Sequence, residues 1–279
     1  MRVSPKLTQA LVVTVLGAAT LLTLVILVFV IVFVLGKGLP GVSWEFLFSS
    51  PKDMGKAGGI FPTLVGTFLL PLLAITIALP LGLGTAVYLT EYTQETRFTR
   101  TLRFGTDCLA GIPSIIFGLF GFIFFVIKLK MGWCLLSGAL TLAIMVLPTI
   151  LRTSEEALRS VPNAYREVSF SLGATRWETV LKVVLPNALP GIVTGVILSI
   201  GRSIGETAAV IFTAGSSLRM PMTAFDSVRT MSVHFYILAR EGISNENAYA
   251  TAAVLIMTVL LVNLVAYTLM HRFIARRSK

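Results

Sequence analysis

Long uncharged stretches alternate along this chain with short charged ones, and the uncharged stretches have the length of membrane spans. About twenty apolar residues, at 1.5 Å rise each, cross a hydrocarbon core of roughly 30 Å. Leu7 to Gly36 carries no charge and predicts the first span. It is longer than the apolar region of a signal peptide and no small-x-small cleavage site follows, so the segment is expected to be retained. Ala57 to Thr90 is uncharged throughout but contains Pro62, Pro71 and Pro80. A second span is expected at 65–89, with 57–63 as a lead-in loop. Cys108 to Ile127 predicts the third span and Met131 to Leu151 the fourth. The fifth runs from Leu189 to Ala214, interrupted by Arg202 and Glu206, and the sixth from Asn247 to Met270. The pattern predicts an all-α polytopic membrane bundle of six transmembrane helices.

Composition agrees: 55% of the residues are hydrophobic and 13% charged, against roughly 25% charged in a soluble domain. The net charge of +10 would point to nucleic acid in a soluble protein. Sorted onto six spans, the same excess becomes topology. With both termini on one side, that side receives fourteen Lys and Arg and the other eight. The richer side holds Arg97, Arg100 and Arg103 together with the basic residues of the 152–187 loop, which makes it and both termini cytoplasmic. Lys128 and Lys130, in a short outer turn, run against the bias. Only Arg202 is left inside the membrane, and no nucleic-acid partner is needed.

The two cysteines fall at opposite ends of this topology, Cys108 inside and Cys134 outside, so an intramolecular disulfide is not expected. No Cys/His cluster has metal-ligand spacing.

The 152–187 segment is patterned more strongly than a connector requires. Asn163 to Leu172 predicts a helix with Tyr165, Val168 and Leu172 on one face, and Gly173 stands where a left-handed cap residue belongs. Thr175-Arg176-Trp177-Glu178 is a capping box opening a second helix, expected to end before Pro186. Two short helices would meet at Gly173 and present Trp177 and Leu181 near the joint. Such a pair either rests on lipid headgroups or docks a cytoplasmic partner.

Glu167-x5-Gly173-x9-Val183-x-Leu185-Pro186 resembles the Glu-Ala-Ala loop of ABC importer permeases, with Val168-Ser169 in place of Ala-Ala and Val183 in place of Ile. Residues 110–121, 185–191 and 200–207 are similar to the phosphate-importer branch, in particular its A-type permease. The likeness covers about residues 60–275. It implies a type I importer permease fold in a bacterial inner membrane, with a helix and outer loop at 1–59 and a transport domain at 60–279. It also implies a coupling set of Glu167, Gly173, Ala174, Thr175, Trp177, Val183, Leu185 and Pro186 seated on an ATPase. The partners implied are a second homologous permease, an ATPase dimer, an extracytoplasmic phosphate-binding protein and membrane lipid. Sulfate and molybdate are the alternative oxyanions, and an ion-coupled carrier a more distant one.

Arg202 reads as lying near the middle of the fifth span, with Glu206 one turn further on the same face. A charge at mid-bilayer costs about 2.5–3.5 kcal/mol on insertion scales, so an idle Arg there is improbable. Its planar fork of donors suits a tetrahedral oxyanion. Arg202 and Glu206 are therefore candidate pathway residues, the alternative being a structural ion pair. Gly191, Gly195, Ser199 and Ser203 recur at four-residue spacing, which suits close helix packing. Pro71, Pro80 and Pro113 predict kinked or broken helices. His234 reads as solvated in a long outer loop, and Glu155-Glu156 as lying on a solvated helix face.

No catalytic constellation is visible. Neither Gly-Lys pair, Gly36-Lys37 or Gly55-Lys56, has the surroundings of a phosphate-binding loop. The chain therefore carries no cofactor of its own, and ATP and Mg would belong to a separate ATPase.

Overall fold

The computed structural model describes residues 5–277 and is almost entirely helical. Helix α1 (Pro5–Gly38) leads to a short helix α2 (Trp44–Phe48) and a two-stranded hairpin, β1 (Pro51–Lys52) with β2 (Ala57–Gly58). Helix α3 (Phe61–Val87) continues through a wide turn to Tyr92. Next come α4 (Arg97–Ala110), α5 (Ser114–Gly121) extended to Lys128, and α6 (Leu135–Arg159). Helices α7 (Asn163–Ser171) and α8 (Arg176–Thr179) form the loop that precedes α9 (Leu185–Ile204). The chain closes with α10 (Ala208–Thr213), α11 (Met231–Arg240) and α12 (Asn245–Arg277).

Five of these helices are long and apolar enough to span a membrane, and α4 with α5 makes a sixth only if the pair is counted as one. That pair is bent by 99°. The expected third span, Cys108 to Ile127, is therefore broken at 111–113. Pro113 lacks an N–H and disfavours helical geometry in the residue before it, so one helix ends there and another starts. Cys108 lies in α4 rather than at the head of a span. By contrast α3 runs through Pro71 and Pro80 as one helix.

The core is built where α3, α6 and α9 pack together. Leu70, Ala74 and Ala78 of α3 meet Leu142, Met145, Val146 and Ile150 of α6, joined by Phe117, Ala209 and Val210. A second cluster at the far end of these helices gathers Ala86, Leu158, Val184, Ala188 and Ile192. A third, near the hairpin, joins Phe46 and Ile60 to Met231, Ala250 and Val254. Small residues permit these close crossings. A side chain at Gly195 would run into Thr153, and one at Gly191 into Ala157, so the glycine stripe of α9 serves its packing on α6.

Helix α1 packs on α12 and is otherwise exposed along its length. In a spanning helix that exposed apolar surface is the lipid-facing one.

Candidate coupling loop and translocation residues

Local sequence chemistry builds the α7–α8 loop. Helix α7 ends in a Schellman motif: the Ala174 N–H donates to Ser169 O at 3.2 Å and the Gly173 N–H to Phe170 O at 2.9 Å. Gly173 has φ +83°, the left-handed conformation this cap requires. The capping box opens α8, with the Glu178 N–H donating to Thr175 Oγ1 at 3.3 Å and the Thr175 N–H to Glu178 Oε2 at 3.0 Å. The Thr175 N–H, followed by the Thr175 hydroxyl and Lys182, holds the Glu178 carboxyl below the usual carboxylate range. A buried hydroxyl pair, Ser169 Oγ and Thr179 Oγ1 at 2.8 Å, locks the two helices together.

The loop is also fixed to the body. Arg166 donates to both oxygens of Glu91, at 2.7 and 3.1 Å, and to the carbonyls of Leu158 and Val161. This bidentate pair ties α7 to the end of α3 and to the end of α6. Neither residue stands out in the sequence, although Glu91 is the first acidic residue after the uncharged stretch of the second span.

Outward from this anchor the loop presents apolar surface. Leu172 is 83% exposed and Trp177 59%, with Val168, Phe170 and Leu181 beside them. Glu167 and Thr175 are exposed and Ala174 half-buried. Val183, Leu185 and Pro186 are half-buried.

The second helix does not end before Pro186. From Arg176 to Ile204 the chain is one continuous helix, with a wide turn at Val180–Val184 absorbing the proline. Pro186 sits just past that wide turn, where the local change of hydrogen-bond pattern accommodates its missing N–H. The exposed loop and Arg202 thus share one rod of roughly 24 Å between Pro186 and Arg202 at 1.5 Å per residue.

At its other end the rod stops sooner than the hydropathy pattern suggests. Helix α9 finishes at Ile204, and α10 starts at Ala208. Arg202 is therefore in the last turn of a helix, and Glu206 lies beyond that helix rather than one turn along it. The carboxylate of Glu206 accepts the Ala209 N–H at 3.3 Å, capping α10, and its carbonyl accepts Ser232 Oγ at 2.8 Å. Arg202 is exposed and, among the described residues, has no ion-pair partner. No ion pair between Arg202 and Glu206 forms within this chain.

Beyond Glu206 lies a cavity of 1010 Å³ lined by Thr207, Ser216, Ser217, Ser227, Tyr236 and Arg240 on its polar side. Arg229 stands behind this wall, donating to Ser216 O at 2.8 Å and lying 3.3 Å from His234 Nδ1. His234 is not solvated: it is 1% exposed, within α11. Burial and the neighbouring Arg229 push its pKa down to about 4. Burial also lowers the pKa of Arg229. Sequence reading missed this pair because a polar segment between spans offers no periodicity that marks burial.

Glu155 departs from its expected place as well. It is buried and bridges Arg103 at 2.8 Å and Arg159 at 2.9 Å, whereas its neighbour Glu156 is exposed. Asp107 pairs with Arg152 at 2.7 Å. The two cysteines are unbridged, and among the described residues no cluster of metal-ligating side chains occurs.

Comparison with known proteins places this geometry. Residues 78–279 match the model of the binding-protein-dependent transport system inner membrane component family. The chain is 34% identical over 277 residues, 94% of either chain, to the probable ABC transporter permease protein YqgI of Bacillus subtilis. It is also 34% identical over 268 residues to the phosphate transport system permease protein PstA of Pasteurella multocida, again 94% of either chain. Among solved structures, a bacterial alginate ABC transporter in complex with a pentasaccharide-bound periplasmic protein superposes with TM-score 0.68, 15% identity and 98% of both chains covered. The inward-facing MetNI methionine ABC transporter gives 0.61 at 23% identity, over 77% of this chain and 94% of that one. These neighbours share the fold of type I ABC importer permeases. The chain is thus a non-enzymatic membrane permease subunit belonging to the binding-protein-dependent transport system inner membrane component family.

Proposed function

We propose that this chain forms one half of the membrane channel of an ATP-driven importer that brings inorganic phosphate into the cytoplasm. The observation that carries the reading is Arg202, a cation on the exposed side of a span that, among the described residues, has no ion-pair partner. Leaving that side chain against lipid is costly, which favours a second chain or a water-filled path beside it. Phosphate as the cargo is supported by 34% identity to PstA over nearly the whole length. An anion is what an unneutralised guanidinium attracts, and a conduit must hold it weakly enough to release it.

The partners follow from the surfaces. The exposed Val168, Leu172 and Trp177 fit a protein cleft better than water, which supports docking of an ATPase on the α7–α8 loop. Movement of that ATPase would be carried along the 176–204 rod to Arg202. A second permease would cover the Arg202 side, and an extracytoplasmic phosphate-binding protein would deliver the anion. Both termini and the loop would then be cytoplasmic.

The test replaces Arg202 with Gln in the assembled importer and measures uptake of phosphate, sulfate and molybdate in parallel. Loss of phosphate uptake with assembly intact is expected. Normal uptake, or a loss confined to another oxyanion, would sink the proposal.

A further inference from the structure

The geometry points to α4 as an interfacial anchor that lies along the bilayer surface on the coupling-loop side and binds anionic phospholipid headgroups. This helix has 14 residues, a length of about 21 Å at 1.5 Å rise, too short for a hydrocarbon core of about 30 Å. It also turns 99° away from the helix that follows, Ser114–Lys128, so the two do not join into one straight span.

Its depth is fixed by its neighbours. The segment before it ends at Tyr92, beside the Glu91–Arg166 tie to the loop. Arg103 and Asp107 reach Glu155 and Arg152 in the last turns of α6. Covalent continuity with α3 and α5 therefore keeps α4 at the end of the bundle that carries the loop.

At 100° per residue, three sides separate around this helix. Thr99, 3% exposed, and Arg103 face the body. Phe98, Leu102 and Leu109 share a second, exposed stripe, Phe98 being 68% exposed. Arg97 and Arg100 lie on a third side with Phe104, 69% exposed, between them, and both are exposed and, among the described residues, without a carboxylate partner. An apolar stripe beside free guanidinium groups, at a membrane boundary, is the pattern of a helix lying in the interface. Anionic phosphodiester headgroups supply the charge that Arg97 and Arg100 lack.

The test uses the full chain reconstituted in phosphatidylcholine vesicles with and without phosphatidylglycerol. Spin labels are placed singly at 98, 100, 102 and 109 in a Cys108→Ser background, and their accessibility to oxygen and to a water-soluble nickel complex is compared. Labels at 98, 102 and 109 are expected to favour oxygen severalfold over the label at 100, with no steady drift along the helix. Depth rising steadily from 98 to 109 would make α4 part of a span, and uniform access to nickel would take it off the membrane. Either result overturns the inference, as does shielding from both reagents, which would mean a protein cover. For the headgroup, phosphatidylglycerol is expected to raise the thermal transition of the unmodified chain. An Arg97→Gln/Arg100→Gln variant should lose most of that rise, and an unchanged rise would refute headgroup binding.

Discussion

Two ionised residues illustrate how one residue type serves opposite ends in this protein. Arg166 is satisfied completely, by both oxygens of Glu91 and two carbonyls, so it acts as a fastener. Arg202 has no ion-pair partner among the described residues, which makes it available. His234 is a third case, a neutral imidazole held beside a cation. Its pKa of about 4 lies below the ordinary 6.5, so the unfolded chain binds the proton first as pH falls. Stability is then present above about pH 6.5 and is lost as pH falls toward 4. The loss is on the order of 3 kcal/mol, at roughly 1.4 kcal/mol per pH unit. Thermal unfolding in detergent between pH 7 and 4 should decline steeply for the unmodified chain and less so for His234→Gln. Equal slopes would mean that His234 is not the titrating group.

Among the elements, the α7–α8 loop was the most legible in sequence, because its stops and starts are local chemistry. Gly173 needs φ > 0, and the Thr175–Glu178 reciprocal bonds need only three-residue spacing. A Cβ at Gly173 would touch nothing within 4 Å, so the constraint there is conformational and not steric crowding. Gly173→Val should therefore cost about 1–2 kcal/mol of local strain and cut ATPase docking and transport severalfold. Gly173→Asn should be tolerated, because Asn visits the left-handed region readily. Equal activity of the two variants, compared in uptake and pull-down assays, would count against the docking account. The spans were legible as hydropathy but not in their ends. Pro186 read as a stop yet lies within a continuous helix just past a wide turn, and Pro113, read only as a kink or break, stops α4 and separates it from α5. A proline stops a helix only where the N–H it removes, or the space its ring needs, was required.

As a whole molecule the chain looks like half of something. Its core closes around α3, α6 and α9, yet α9 leaves Leu198 and Arg202, four residues apart on one face, exposed. If that face meets a homologous permease, a cysteine placed at 198 should label freely in the chain alone. On co-expression it should become protected or cross-linked. Unchanged labelling in the assembled importer would assign the face to lipid instead, and Arg202 would then need another explanation.

Sequence by itself determined the class, the number of apolar segments, the basic-residue bias and the joint at Gly173. Each of these depends on composition or on residues within one turn of each other. Tertiary structure decided which polar groups are buried and which are free. It paired Glu155 with Arg103 across helices, gave Glu206 to the α10 terminus and left Arg202 without an ion-pair partner among the described residues. Hydropathy averages over a window about as long as a span, whereas the fate of a charge is settled by whichever group the fold brings within about 3 Å of it.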